Sequence, residues 1–394
     1  MIPEKDLELK PYSAVKIEIN TREEANTVLE RILMSEIVLS PRKIDKPVIL
    51  YGAGSLGKIA KDFFNYLDHN FLYFVDRNSE TIKMDTNWIN TKIIHPDEVK
   101  EDDKNNCLLI ICIVTTPLIS LLEDLKNQGW KDISFFYDIS EAYTDQYPLT
   151  NGWFLNKPNE KEFNDYKKIF LMLDDVSRMH YLQFFAWRRL RIELLINNFQ
   201  LMNNRYFIPE LINLLDENEV FVDCGAFNGT ISKKFIEITH GKYNHIYAIE
   251  ADIKNYELLE KSLKSIPNVI ILNCAIGDKE GIENFYQGFD YASKVNKKGN
   301  STVKITTLDN LKIPASFIKM HLEGGELSAL IGAKSTIRKH RPILAITIYH
   351  NIFGVREIPL FLMSCVKNYK YFMRLDAWAG TGAVFYAIPK ERYN

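Results

Sequence analysis

A hydrophobic run from Val220 to Val222 delivers Asp223 into the turn Cys224-Gly225-Ala226-Phe227-Asn228-Gly229, and a helical pattern follows from Thr230 to Ile238. A strand that breaks into a glycine-rich turn and then a helix is the opening of a βαβ unit, so a parallel α/β sheet is expected here. Glycines at 225 and 229 lack the Cβ atoms that would keep a ligand away from the turn backbone. The next strand, His245 to Glu250, ends on an acid 21 residues past Gly229. A carboxylate at that place can accept hydrogen bonds from both hydroxyls of a ribose. The D-x-G-x-x-x-G spacing departs from G-x-G-x-x-G, and Asp223 lies where a positively charged amino-acid-like group could be held. That combination favours S-adenosylmethionine over a dinucleotide, held by Asp223, Gly225, Ala226, Asn228, Gly229 and Glu250.

The same rhythm continues through Val269 to Asn273, Phe317 to Leu322 and Ile343 to Tyr349, and Tyr369 to Leu375 with Ala383 to Ile388 reads as a closing antiparallel pair. The loop Asn273 to Asp278 falls on the cofactor side of such a sheet, where Ala275 and Asp278 would face an adenine edge; Cys274 reads as packing. After the fourth strand come His321, Glu323, Gly324, Gly325 and Glu326. Two glutamates and two glycines in four residues are unusual for a passive turn. His321 by itself reads equally well as a satisfied core residue and as a functional base.

A second strand, turn and helix stands near the N-terminus, where Val48 to Tyr51 runs into Gly52-Ala53-Gly54-Ser55-Leu56-Gly57. Asp76 lies 19 residues beyond Gly57, at the distance of a ribose contact. Further strands are expected at Phe71 to Val75, Leu108 to Val114 and Ile133 to Tyr137, with Thr116 capping the helix after the third. Gly52, Gly54, Ser55, Gly57 and Asp76 would form a second nucleotide site. Three readings stand for it: nucleotide or nucleotide-sugar binding, a module kept for packing, and NAD-dependent redox chemistry.

Between the two units, Leu171 to Phe199 carries apolar residues at helical spacing, with Arg188, Arg189 and Arg191 on a solvated or salt-bridged face. The expected organisation is therefore α/β with two Rossmann-like domains: a helical segment 1–45, with its helix over 22–40, a nucleotide-binding-type domain 46–142, a helical linker 143–216 and a second domain 217–394. With 49 Lys+Arg against 51 Asp+Glu, no global field points to nucleic acid or an anionic membrane. The longest apolar run, Cys107 to Val114, is far short of the ~20 residues of a spanning helix, and the N-terminus lacks an apolar signal core. The cytoplasm is the default expectation. Five cysteines without a C-x-x-C pair support neither a disulfide framework nor a thiolate zinc site, and no metal is expected from the sequence.

The strings VFVDCGAFNGT, YAIEAD, NCAIGD, TLDNL, FIKMHLEGGELSALIGA and RPILAITIYHNIFGVREIPLFL resemble, in order and spacing, the FkbM family of S-adenosylmethionine-dependent methyltransferases, over roughly residues 219 to 390. The resemblance implies a class I methyltransferase fold for residues 217–394, S-adenosylmethionine as cofactor, and a hydroxyl of a sugar-containing or glycosylated acceptor as substrate, in surface glycan or secondary-metabolite assembly. In the family pattern K-x-D-x-E-G-x-E the aspartate position is taken here by His321, while Lys319, Glu323, Gly324 and Glu326 agree. Where the family often has Arg followed by His, this chain has Arg374-Leu375-Asp376. His321, Glu323 or His350 would take the acceptor's proton, His321 first because imidazole titrates near neutrality. GAGSLGK resembles the nucleotide-sugar-binding domain of sugar acyltransferases. The alternatives are a non-catalytic S-adenosylmethionine-binding scaffold and a nucleotide-sugar-modifying enzyme centred on the N-terminal unit. Self-association into a homo-oligomer is left open.

Overall fold

Short runs of Val, Ile and Leu with no polar face must be covered on both sides, and the stretches at 48–51, 108–111, 220–224, 317–320 and 343–347 are buried throughout. In the structure, a computed structural model, residues 9–147, 152–197, 199–287 and 293–393 are described. The first eight residues of the expected N-terminal segment lie outside that set. The chain divides into two compact units, one formed by 1–157, 182–199 and 377–381, the other by 158–181, 200–376 and 382–394.

In the first unit, strands β1 (Ser13–Ile17) and β7 (Ile192–Ile196) form a two-stranded parallel sheet. A separate sheet is built from β2 (Val48–Tyr51), β3 (Phe74–Val75), β4 (Ile93–Ile94), β5 (Leu108–Ile111) and β6 (Ile133–Phe135). It is parallel throughout, in the order β4-β3-β2-β5-β6. The helix after Thr21 runs from Arg22 to Met34, short of the expected 40, and opens on a capping box between Thr21 and Glu24.

Three expectations fail in this unit. The helical pattern read over Leu171 to Phe199 ends at Leu190, because Arg191 turns left-handed at φ +55° and Ile192–Ile196 then pairs as a strand. Of the two readings for Arg188, Arg189 and Arg191, the solvated face fails, since they are at most 3% exposed, while the salt-bridged one holds at Arg191. Arg191 pairs with Asp138 at 2.8 Å, and Arg188 lies 3.8 Å over the Trp153 ring while donating to the carbonyls of Gly152 and Gly380. Thr116 does not cap the helix Leu118–Asn127, whose N-cap is Pro117. The buried Glu193 carboxylate instead accepts the amides of Leu118 and Ile119 at 2.7 and 3.3 Å.

The second unit holds a seven-stranded sheet: β8 (Val220–Cys224), β9 (His245–Glu250), β10 (Val269–Asn273), β15 (Phe317–Met320), β16 (Ile343–Thr347), β17 (Tyr369–Leu375) and β18 (Ala383–Pro389). Its order is β10-β9-β8-β15-β16-β18-β17, with the first five parallel and β18 antiparallel to both of its neighbours. The closing antiparallel pair is where the sequence put it. A smaller sheet of β11 (Ala275–Ile276), β12 (Gly281–Tyr286), β13 (Lys294–Val295) and β14 (Ser301–Thr306) follows β10. Phe221 stacks on Phe235 at 4.5 Å and meets Phe317 at 4.9 Å, which locks β8, β15 and the helix Thr230–Ile238 into one core. Chain order reverses between β8 and β15, so a crevice is expected beyond their carboxyl ends. No described helix is long and apolar enough to cross a membrane.

Candidate active site

The turn after β8 is shaped by close approaches of the protein to itself. Gly225 has φ +76°, and a Cβ there would lie 2.0 Å from the carbonyl oxygen of His321. Gly229, at φ +86°, would push a Cβ to 3.0 Å from Leu263. Both glycines thus have a packing and backbone-conformation reason of their own. Asn228 is used locally, its Oδ1 accepting from the amide and hydroxyl of Thr230 at 3.2 and 2.6 Å.

Asp223 does not present a vacant carboxylate. It is fully buried, with Oδ1 2.8 Å from Lys319 Nζ and Oδ2 accepting from Ser232 Oγ at 2.8 Å. Lys319 also donates to the Gly225 carbonyl at 2.8 Å, so the ammonium ties β15 to the turn after β8. A cationic amine on Asp223 would have to share a buried carboxylate whose charge Lys319 already neutralises. Glu250 is differently placed. One of its oxygens accepts the amide of Phe227 at 2.8 Å and the other that of Asp252 at 2.9 Å. Each oxygen keeps a lone pair, so a pair of hydroxyls can still be accepted there. Burial raises the Glu250 carboxyl above its usual range, against the two backbone donors that favour its ionised form. Ala226 is buried, as is Ala275 at the start of β11, whereas Asp278 is exposed on the following bend.

At the ends of β15 and β16 three side chains converge. His321 Nε2 lies 2.9 Å from Glu323 Oε1, and His350 Nε2 lies 3.4 Å from the same oxygen. Adjacent parallel strands that finish at the same level bring together residues 29 apart in sequence. Glu323 sits at φ +49°, a conformation that costs an L-residue about 1–2 kcal/mol, and Gly324 follows at +104°. Glu326 holds that turn by accepting the amides of Leu322 and Gly324 at 3.0 Å each. It also takes His350 Nδ1 at 2.7 Å. His321 Nδ1 meets Tyr206 Oη at 2.7 Å, and Tyr206 Oη lies 3.3 Å from Thr347 Oγ1. Desolvation pushes the His321 imidazole below its usual range, outweighing the hydrogen bond to Glu323. For Glu323 burial acts the other way, yet His350 and His321 beside it keep the carboxyl below its usual range.

Sequence reasoning gathered His321, Glu323 and His350 but missed what orients them. Lys319 and Glu326 were visible as matches to a motif. Arg205, whose guanidinium donates to Tyr349 at 3.1 Å and faces Asp376 at 3.5 Å, carries no sequence signal of its own.

In the first unit, Gly52, Gly54, Ser55 and Asp76 line a cavity of about 510 Å³ with Arg77, Asn78 and the segment Cys112–Thr116. Asp76 accepts the amides of Ala53 and Asn78 at 2.8 Å each. A Cβ on Gly52 would meet Ile113 at 2.5 Å and one on Gly57 the Gly52 carbonyl at 2.3 Å, whereas one on Gly54 would meet nothing within 4 Å. Gly57 does not line the cavity; it lets the helix Ser55–Tyr66 pack on the turn.

Residues 223–373 match the methyltransferase FkbM domain, which indicates a methyltransferase and a small-molecule acceptor. Among solved structures, the methyltransferase FkbM from Methylobacillus flagellatus KT is similar, at 16% identity and a TM-score of 0.60, over 93% of this chain and 98% of that one. It shares the fold, a mixed α/β architecture with parallel sheets consistent with a methyltransferase fold. Precorrin-6y C5,15-methyltransferase from Geobacter metallireducens GS-15 is similar over 49% of this chain and 95% of that one at 12% identity, with a TM-score of 0.29, too low to define a shared fold. No curated protein matches the chain.

Proposed function

We propose that the protein transfers a methyl group from S-adenosylmethionine to a hydroxyl of a sugar-containing acceptor. The observation that carries this is the placement of two chemically different groups along one sheet edge: Glu250, anchored by backbone amides at the end of β9, and the His321, Glu323 and His350 cluster at the ends of β15 and β16. S-adenosylmethionine supplies an electrophilic methyl on a sulfonium. Glu250 fits its ribose, having a lone pair left on each oxygen, and the backbone of Gly225 to Gly229 would run alongside. Asp223 acts through Lys319, which fixes the turn, and not by direct contact.

Methyl transfer asks the protein to align one hydroxyl oxygen and to manage one proton. The His321 and Glu323 pair is suited to the second task, because a desolvated neutral imidazole and an ionised carboxylate can both accept. Tyr206 and Glu326 hold the two imidazoles in place, so the acceptor hydroxyl meets a preset array. The chain's own test is incorporation of labelled methyl from S-adenosylmethionine into a panel of saccharides and nucleotide sugars. Transfer to at least one hydroxyl, abolished in Glu323→Gln, is the expected result; binding of the cofactor without transfer to any member favours a non-catalytic scaffold.

The cavity of the first unit supports a second site of nucleotide or nucleotide-sugar type. Its distinguishing observation is Gly54, whose missing Cβ is not required by any neighbour and leaves the first turn of the helix Ser55–Tyr66 open to a phosphate. A thermal shift of the full chain with such a ligand, lost in Gly54→Val, is expected.

A further inference from the structure

We propose that His321, Glu323 and His350 form a binding site for one divalent transition-metal ion of the zinc type. Their donor atoms all lie within 4.8 Å of one another, a set found among the described residues. Two of the separations, 2.9 and 3.4 Å, bracket the ~3.3 Å between neighbouring ligands around tetrahedral zinc at 2.0–2.1 Å from each.

The second observation is the ring of partners behind the donors. An imidazole that gives Nε2 to a metal carries its proton on Nδ1, and that proton needs an acceptor. His350 Nδ1 has Glu326 Oε1 at 2.7 Å, and His321 Nδ1 has Tyr206 Oη at 2.7 Å, whose own proton can pass to Thr347 Oγ1. These partners can take the Nδ1 protons of both rings, so a bound ion at Nε2 would displace the His321 hydrogen bond to Glu323 without leaving either imidazole unsatisfied. Two imidazole nitrogens and one carboxylate oxygen converging on a single point form a donor set suited to a cation. Glu323 is kept in left-handed backbone to reach that point, and Glu326 secures the turn that puts it there.

Two imidazoles and one carboxylate suit zinc, with a vacant position for an oxygen of the acceptor, and suit magnesium poorly, since magnesium prefers oxygen ligands. The site thus deepens the methyl-transfer proposal and rests on it for its chemistry: with the ion held by His321 Nε2, His350 Nε2 and Glu323 Oε1, a hydroxyl coordinated there would be aligned and made more acidic, and the second oxygen of Glu323, in place of His321, would take its proton. Binding of the ion does not depend on that proposal.

The test uses the full chain, stripped with a chelator, dialysed against zinc chloride and then against metal-free buffer, with bound zinc measured by mass spectrometry. About one equivalent per chain is expected. Affinity should fall at least ~10-fold in Glu323→Gln and in His321→Asn, both of which keep a polar group in place. Cobalt(II) in place of zinc should show visible absorption that both variants lose. Failure of the chain to retain zinc, or equal retention by both variants, overturns the site. Zinc retained without any binding of S-adenosylmethionine would sink the methyl-transfer proposal and leave the cation site standing; the reverse result would do the opposite.

Discussion

Lys319 and Asp223 face each other on neighbouring parallel strands, in register, with the ammonium 2.8 Å from the carboxylate and both side chains sealed from water. Because Lys319 also donates to the Gly225 carbonyl, the pair is the hinge pin of the glycine turn. Lys319→Met would leave Asp223 buried and uncompensated, and about 3–5 kcal/mol of stability should be lost in urea denaturation. Replacing both, Lys319→Met with Asp223→Leu, should recover most of that. A loss below about 1 kcal/mol in the single variant would show that the pair is not holding the turn.

A separate pH effect is expected from Glu193, whose carboxyl burial raises from 4.5 to about 7 despite two backbone donors. The folded state then binds more protons than the unfolded one between those values, so stability falls as pH rises from about 4.5 through 7. The full difference is of the order of 3 kcal/mol. Glu193→Gln removes the titration. Urea denaturation of the two proteins from pH 5 to 8 should show the variant gaining on the parent as pH rises; parallel curves would contradict the assignment.

The glycines separate into two kinds. Gly225→Ala, Gly52→Ala and Gly57→Ala each drive a Cβ into an atom between 2.0 and 2.5 Å away, and losses of about 1–3 kcal/mol are expected. Gly54→Ala meets nothing within 4 Å and should cost under about 1 kcal/mol. Thermal melts of the four variants check the ranking, and a Gly54→Ala loss as large as the others would mean that the turn is packed more tightly than described.

Much of this was legible in the sequence because it is local. Strand, glycine turn and terminal acid follow one another within some thirty residues, and the antiparallel pair at the C-terminus shows its own alternation. What stayed hidden depends on distant segments. Nothing near Arg188 announces that Trp153 and the Gly380 carbonyl will bury it, and Glu193 caps a helix 75 residues away. The pairing of β1 with β7 joins segments about 180 residues apart. His321 and His350 could each be assigned to a strand end, but only the adjacency of β15 and β16 puts both on Glu323. The glycines at 225 and 229 were recognised for a ligand's sake, while the structure shows the protein's own carbonyl and leucines in that space.

Isothermal titration of S-adenosylmethionine into the parent and into Glu250→Ala tests the proposed function most directly, since no acceptor has to be known. The parent should bind one equivalent. Glu250→Ala, checked as folded by its unfolding transition, should bind roughly 5- to 100-fold more weakly, the ~1 to 3 kcal/mol of hydroxyls left unpaired. No heat from the parent, or the same affinity in Glu250→Ala, would contradict the account.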